Sequence, residues 1–151
     1  MRPAGDRSEA GAQGAPTADV LAAHGARTPD RPALIEGERR LSWRESIDWR
    51  DRLAHGLRRV GIVPGEHVVI YAPNGLETAL APAAVRAAGA LPVPMNHRLV
   101  GEEIAYILNH ADAAAVLVGE TFLARGRTSS PGAPPDRPQR RPPRRQASWA
   151  R

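Results

Sequence analysis

The chain has 151 residues, contains no cysteine and takes all 21 of its basic residues from arginine. Its length suggests one domain. The missing residue types exclude disulfides, thiolate metal sites, cysteine nucleophiles and every mechanism that needs a lysine. No secretory signal and no membrane-length apolar run is visible, so we expect a cytoplasmic protein.

The net charge of +5 is unevenly distributed along the chain. Residues 125–151 contain eight Arg and one Asp, whereas residues 1–124 contain thirteen Arg against fifteen Asp and Glu. The basic character therefore belongs to the tail and not to the body of the chain.

The first third of the sequence predicts a leader, a helix and a hairpin. Residues 1–15 are polar and rich in Gly and Ala, and we predict that they are disordered. Thr17 is expected to cap a helix over residues 18–26. Residues 32–42, "PALIEGERRLS", read as two short strands joined by a turn at Gly37.

A long helix is predicted next, over about residues 43–59. Ser42 and Glu45 form a capping box, a device that stabilises a helix by about 1 kcal/mol. Gly61 is placed to end the helix. An apolar stripe is expected to face the core through Trp43, Ile47, Leu53, Ala54 and Leu57.

The next segments alternate between buried strands and helices. The apolar run "HVVIYA" (67–72) is typical of a parallel strand covered on both faces, and "ALPV" (90–93) and "AAAVLV" (113–118) predict two more. A helix over about residues 77–88 lies between the first two strands, and Pro82 should kink it or move its start. The second connecting helix follows Glu102 and Glu103, whose charges suit its positive end.

This second helix also shows a core-facing stripe with i, i+3, i+4, i+7 spacing, formed by Ile104, Ile107, Leu108 and Ala111. Strands that alternate with helices of this length indicate βαβ units. The predicted fold class is therefore α/β, an incomplete βαβ-type opening subdomain with disordered ends.

Three segments carry a resemblance to a known family: "RTPDRPALIEGERRLSW", "RLAHGLRRVGIVPGEHVVIYAPN" and "AGALPVPMNHRLVGEEIAYILNHADAAAVLV". In order and spacing they resemble the start of the AMP-forming acyl-CoA synthetases, which are adenylate-forming ligases. The resemblance assigns residues 16–124 to the N-terminal part of an AMP-binding domain, and composition adds a disordered leader (1–15) and an Arg/Pro-rich disordered tail (125–151). Ser46, Arg50 and Pro82 depart from the apolar or small residues usual in the family.

The resemblance implies a parent reaction in which ATP activates a carboxylic acid to an acyl-adenylate, which then forms a thioester with coenzyme A. In this family a Ser/Thr/Gly-rich phosphate loop with a lysine, acidic residues for ribose and Mg²⁺, and a second lysine all follow later in the chain. No position here matches them. We therefore assign no catalytic, cofactor-binding or metal residue, and expect the chain to bind no cofactor and to be inactive by itself.

The remaining local motifs predict no chemistry of their own. The turn "YAPNGLE" (71–77) places backbone N–H groups at a helix start, but an ordinary βα turn explains it better than an anion site. Adjacent Glu102 and Glu103 cannot face each other as an acid–base pair. No serine lies in a nucleophile elbow. The histidines lack metal-ligand spacing and are predicted to be structural or exposed: His24, His55, His67, His97 and His110.

The tail leaves alternatives open. Its composition is that of a GC-rich gene read in a shifted frame, so a solvated tail without a role is the favoured interpretation. The alternatives are a small polyanion-binding protein acting through "RPQRRPPRRQ", although nucleic acid is not the expected partner, and one half of a split ligase. The expected partners are the downstream part of the ligase or a second copy, because an incomplete parallel sheet exposes an edge.

Overall fold

In the computed structural model, the chain is described for residues 19–122 and 145–148. The predicted leader and most of the predicted tail lie outside these residues. In chain order the elements are α1 (Val20–Arg27), β1 (Pro32–Glu36), β2 (Arg39–Ser42), α2 (Trp43–Arg59), β3 (His67–Tyr71), α3 (Leu76–Ala87), β4 (Leu91–Pro94), α4 (Glu102–His110), β5 (Ala113–Val118) and β6 (Arg145–Ser148).

Asp19, and not Thr17, caps the first helix. The Asp19 Oδ1 atom accepts a hydrogen bond from the backbone N–H of Ala22 at 3.1 Å. Thr17 lies outside the described residues. Aspartate is as good a cap as threonine, so composition alone could not choose between two capping residues two positions apart.

The predicted hairpin and the predicted capping box are both confirmed. β1 and β2 pair antiparallel, and the turn between them passes through Gly37 with a φ of 58°. Ser42 and Glu45 bond reciprocally, with Ser42 N donating to Glu45 Oε2 at 2.8 Å and Glu45 N donating to Ser42 Oγ at 3.2 Å. The helix that they begin runs from Trp43 to Arg59, as predicted.

A parallel sheet with the order β4-β3-β5-β6 forms the centre of the described structure. β3 lies between β4 and β5 and is parallel to both. Its middle residues Val68, Val69 and Ile70 are buried, as expected for a strand covered on both faces. The α/β class predicted from the alternation of strands and helices is confirmed.

The two faces of the sheet are covered by different helices. One face packs against α2 and α3, and its buried core is formed by Ala54, Leu57, Ile62, Val68, Ile70, Ala81, Val85, Ala88, Ala90, Ala114, Ala115 and Leu117. The other face packs against α4 and buries Val69, Met95, Ala113 and Val116. The stripe predicted on α4 does face this second core, but its residues are only half-buried.

Pro82 does not move the start of α3. The helix begins at Leu76, before the proline, and continues to Ala87. Gly89 then adopts a φ of 88°, and a Cβ added there would lie 3.2 Å from Pro64 Cγ. Both the left-handed backbone and the close approach to Pro64 favour glycine at the end of this helix.

One stretch of the predicted disordered tail is a strand. Arg145–Ser148 forms β6 and pairs in parallel with β5, from Ala115↔Arg145 to Val118↔Ser148. The outer edge of β5 offers backbone donors and acceptors that must find partners. Within the tail, the residues after Pro143 contain no further proline, so this stretch has every N–H that a ladder needs. Low apolar content hid this pairing in the sequence.

Candidate functional site

The sheet order creates a crevice at the carboxyl ends of β3 and β4. The chain leaves β3 toward the face covered by α3, and leaves the neighbouring β4 toward the face covered by α4. Open α/β sheets bind ligands in crevices outside the carboxyl ends of their strands, and this crevice lies at such a position. This crevice is therefore the candidate functional site of the described residues.

The crevice has a volume of about 400 Å³. Its floor is apolar, and its polar groups come from the two turns, with Asn74 and Thr78 after β3 and Asn96 and His97 after β4. The lining residues are Ile70, Ala72, Asn74, Thr78, Pro82, Pro94, Met95, Asn96 and His97, none of which is a carboxylate. Such walls suit hydrogen bonding to a neutral or anionic group more than holding a divalent cation.

Both turns are fixed by hydrogen bonds. Thr78 Oγ1 donates to the carbonyl of Pro73 at 2.6 Å, and Asn96 Oδ1 accepts from Arg98 N at 3.0 Å. Tyr71, at the end of β3, donates its hydroxyl to the carbonyl of Leu99 at 2.9 Å and so ties β3 to the turn after β4. Two local hydrogen bonds and one longer-range hydrogen bond thus define the crevice without any glycine-rich motif.

The end of β5 closes against the same region. Gly119 N donates to the carbonyl of Tyr71 at 3.0 Å, and a Cβ added at Gly119 would lie 3.0 Å from both Ala72 Cβ and Pro73 Cδ. Phe122 then packs on Tyr71, with 4.9 Å between ring centroids. Glycine is needed at position 119 because the two chain segments touch there.

The turn "YAPNGLE" supplies a helix start that is already surrounded by carboxylates. A Cβ added at Gly75, the residue before α3, would lie 3.0 Å from Glu36 Oε1 and 3.7 Å from Glu77 Oε2. Arg39 bonds both carboxylates, at 3.0 Å from Glu36 and closely to Glu77. The hydrogen bond to Glu77 holds the pKa of the Arg39 guanidinium above its ordinary value. An anionic ligand at this helix start would be repelled by the carboxylates of Glu36 and Glu77. The geometry therefore favours an ordinary βα turn over an anion site.

The histidines lie apart from one another. His97 lines the crevice, 6.3 Å from the Phe122 ring, whereas His24 stacks on Trp43 at 4.5 Å and His110 on Tyr106 at 5.6 Å. His55 Nδ1 lies 3.2 Å from the carbonyl of Asp51, and His67 begins β3. In the part of the chain that the structure describes, no three His, Asp or Glu side chains come together as metal ligands would.

Glu102, Glu103, Ser42 and Ser46 occupy structural positions. Glu102 and Glu103 lie exposed in the first turn of α4, and Glu103 Oε2 accepts from Val100 N at 3.4 Å. Ser46 is buried and donates its hydroxyl to the carbonyl of Ser42 at 2.8 Å. Each of these hydrogen bonds joins residues no more than four positions apart, and none of them places a nucleophile beside a base.

An ion-pair cluster joins α1 to α2, and sequence reasoning missed it. The side chain of Arg50 is 11% exposed; its Nε donates to Asp51 Oδ1 at 2.8 Å and its Nη1 pairs closely with Asp19 Oδ2. The hydrogen bond to Asp51 is the main reason that the pKa of Arg50 is raised above its ordinary value. Arg50 and Asp19 are 31 residues apart, so no local pattern predicts their contact. An Arg on an apolar helix face was nevertheless a signal that a buried charge would need a partner.

Comparison with known proteins identifies relatives over most of the described residues. A family model described as "AMP-binding enzyme" matches residues 21–147. A 3-oxocholest-4-en-26-oate–CoA ligase of Rhodococcus rhodochrous is 35% identical over 89 residues, which are 59% of this chain and 16% of the ligase. Pyochelin synthase PchD of Pseudomonas aeruginosa is 42% identical over 89 residues, 56% of this chain and 16% of the synthase.

A solved structure shares the fold. A protein named as a long-chain-fatty-acid CoA ligase of Rhodopseudomonas palustris superposes with a TM-score of 0.69 and 29% identity, over 87% of this chain and 32% of that chain. The chain thus spans about a sixth of the length of the two curated relatives. No helix among the described residues is long and apolar enough to cross a membrane.

Proposed function

The chain belongs to the AMP-binding enzyme family, and from that premise we propose that it forms the opening part of an acid-activating ligase. The parent reaction joins a carboxylic acid to ATP, giving an acyl-adenylate and pyrophosphate, and then transfers the acyl group to coenzyme A with release of AMP. The observation that carries this proposal is the family match over residues 21–147 on a parallel sheet of the same fold. The proposed location is the cytoplasm, where ATP and coenzyme A are available.

We further propose that this chain alone does not perform the reaction. Its sequence contains no lysine, and the resemblance assigns two lysines to the chemistry. The residues that the structure describes do not fit Mg²⁺, because the crevice walls hold no carboxylate and no three His, Asp or Glu side chains among them come together as metal ligands. We therefore assign no step of the reaction, and no contact with ATP, Mg²⁺ or coenzyme A, to these residues.

The test is ATP–pyrophosphate exchange with the purified chain and a panel of fatty, sterol and aromatic carboxylic acids. A family member that contains the phosphate loop is the positive control. We expect exchange from the control and none from the chain. Exchange by the chain with any acid would contradict its inactivity and would direct attention to Asn96 and His97 in the crevice.

The ligase proposal has a separate test in the gene. Translation of the DNA downstream of codon 125 in all three frames should yield, in one frame, a Ser/Thr/Gly-rich loop ending in Lys-Gly. Finding that loop in the present frame supports a ligase encoded downstream, and finding it in another frame supports a frame shift. A downstream region without such a loop in any frame would leave the polyanion-binding alternative as the one to pursue.

A further inference from the structure

The outer edge of β4 has an unusual composition. β4 pairs with β3 on one side, and on its other side no strand lies among the described residues. Its sequence is Leu-Pro-Val-Pro, so two of its four residues are prolines, Pro92 and Pro94. An exposed edge of a parallel sheet is a template for pairing with another chain, and the direction of each N–H along it decides whether pairing is possible.

The register shows which way these prolines point. Leu91 N donates to the carbonyl of Glu66 at 2.8 Å, and Met95 N donates to the carbonyl of Ile70 at 2.9 Å. N–H groups alternate in direction along a strand, so positions 91, 93 and 95 serve β3 while positions 92 and 94 face outward. Both outward positions are prolines, which have no N–H to donate.

On the other side of β3, the strand β5 can donate hydrogen bonds along its whole length. The residues of β5, Ala113–Val118, include no proline, so each of them carries an N–H. This edge pairs with Arg145–Ser148 in parallel register. The prolines of β4 remove no hydrogen bond to β3, because their positions face away from it. A proline in β5 would remove a hydrogen bond either to β3 or to β6, because β5 pairs on both sides.

We propose that strand pairing by this sheet is one-sided. Pro92 and Pro94 close the β4 edge to any further strand, and the β5 edge is the acceptor, occupied by residues 145–148 of the same chain. The predicted self-association through an open edge is thereby confined to the other side of the sheet, where a further strand must either displace β6 or add to its outer edge. The inference concerns the edges of the sheet and does not depend on the ligase assignment.

The first experiment restores the two outward donors in the full chain. The variant P92V/P94V gains N–H groups at both outward positions, and L91V/V93I is the matched control, because it changes the two inward positions and adds no donor. Sedimentation velocity over a concentration series is the measurement. Each new intermolecular hydrogen bond should raise the association constant on the order of fivefold. We therefore expect self-association at least about tenfold tighter than in the control.

Two outcomes decide the β4 part of the proposal. A tenfold or larger tightening in P92V/P94V, with the control unchanged from the native chain, supports it. Association no tighter than in the control overturns it. Circular dichroism checks that the double variant folds; if it does not, P92V and P94V are measured singly, since each restores one donor and each should tighten association by itself.

The second experiment tests the occupant of the β5 edge. Val116 and Gln146 are register partners, and the native chain has no cysteine, so V116C/Q146C should form one disulfide within the chain under mild oxidation. V116C/S148C is the control, because the two-residue offset adds about 6.6 Å along the strand and exceeds the reach of a disulfide. An intrachain disulfide in the first variant only supports the assignment. No disulfide, or one only between copies, overturns it.

Discussion

The two faces of the central sheet differ in how completely the chain covers them. The face under α2 and α3 has twelve buried core residues, and two helices lie across it. The face under α4 has four, and none of the residues of α4, all of which the structure describes, is buried. One face is thus a finished core and the other a partly open one. The folding energy of this piece therefore comes mainly from one side of its sheet.

A pair of leucine truncations should show the largest difference between the two faces. Leu57, on α2, is 1% exposed in the finished core, whereas Leu108, on α4, is half-buried in the open one. We expect Leu57→Ala to lower the free energy of unfolding by about 3 kcal/mol and Leu108→Ala by about 1 kcal/mol, because a half-buried site loses less contact area and leaves less cavity. Urea unfolding followed by circular dichroism is the measurement.

Equal losses at the two leucines would mean that the α4 face is as well packed as the other.

The open face also predicts that the chain by itself is marginally stable. A sharp cooperative transition at high temperature from a monomer would contradict that prediction, because it would show that the open face costs little.

The ion pair between Arg50 of α2 and Asp19 attaches α1 to the finished face, and substitutions of Asp19 test this attachment. Its Oδ1 caps α1 and its Oδ2 pairs with Arg50, so one carboxylate has two roles. Asp19→Asn keeps a good cap and loses the ion pair, whereas Asp19→Ala loses both. We expect Asp19→Ala to be about 1 kcal/mol less stable than Asp19→Asn by thermal unfolding.

Asp19 is half-exposed, so the loss of the ion pair alone, measured as Asp19→Asn against the native chain, should stay below about 1 kcal/mol. A larger loss in Asp19→Asn than the further loss on going to Asp19→Ala would show that the pairing with Arg50, and not the cap, holds α1 in place.

The smallest expected effect lies at the start of α2, the helix that completes the finished face. The hydrogen bonds from the backbone and hydroxyl of Ser42 hold the pKa of Glu45 below its ordinary value of 4.5. A lowered folded-state pKa means that Glu45 contributes stability above pH 4.5 and loses it as the pH falls through the folded pKa. Glu45→Gln keeps a capping side chain without this titration.

The measurement is the melting temperature of the native chain and of Glu45→Gln at neutral pH and at successively lower pH. The native chain should lose its small advantage over the variant as the pH falls below 4.5, while other acid-sensitive groups affect both proteins equally. A difference that stays constant across this range would contradict the role assigned to the carboxylate.

The elements of the finished face were predictable because their signals are local. The capping box at Ser42, the end of α2 before Gly61 and the apolar run of β3 each lie within a few residues. The predicted core stripe on α2 was right at Ala54 and Leu57, which are buried. It omitted Ser46 and Arg50, which are buried too because a local hydrogen bond and two carboxylates satisfy them.

The candidate site was not predictable in the same way. The crevice depends on β3 and β4 being neighbours whose connections leave toward opposite faces, and strand order is not a local property. Asn74 and His97 are far apart in sequence, and no glycine motif marks either turn. The pairing of β6 with β5 was missed for a related reason, since a short polar strand has no hydrophobic pattern and is recruited by the edge it meets.

The central position of β3 has a consequence for the order of assembly during synthesis. β3 pairs with β4, which follows it after one helix, and with β5, which follows only after β4 and α4 as well. Because closure of a longer loop loses more chain entropy, the β3–β4 unit should form first on the ribosome, with one side of β3 vacant until β5 emerges. β3, whose middle residues are buried in the finished sheet, therefore waits for its second neighbour, and this interval is when the nascent chain most needs protection from aggregation.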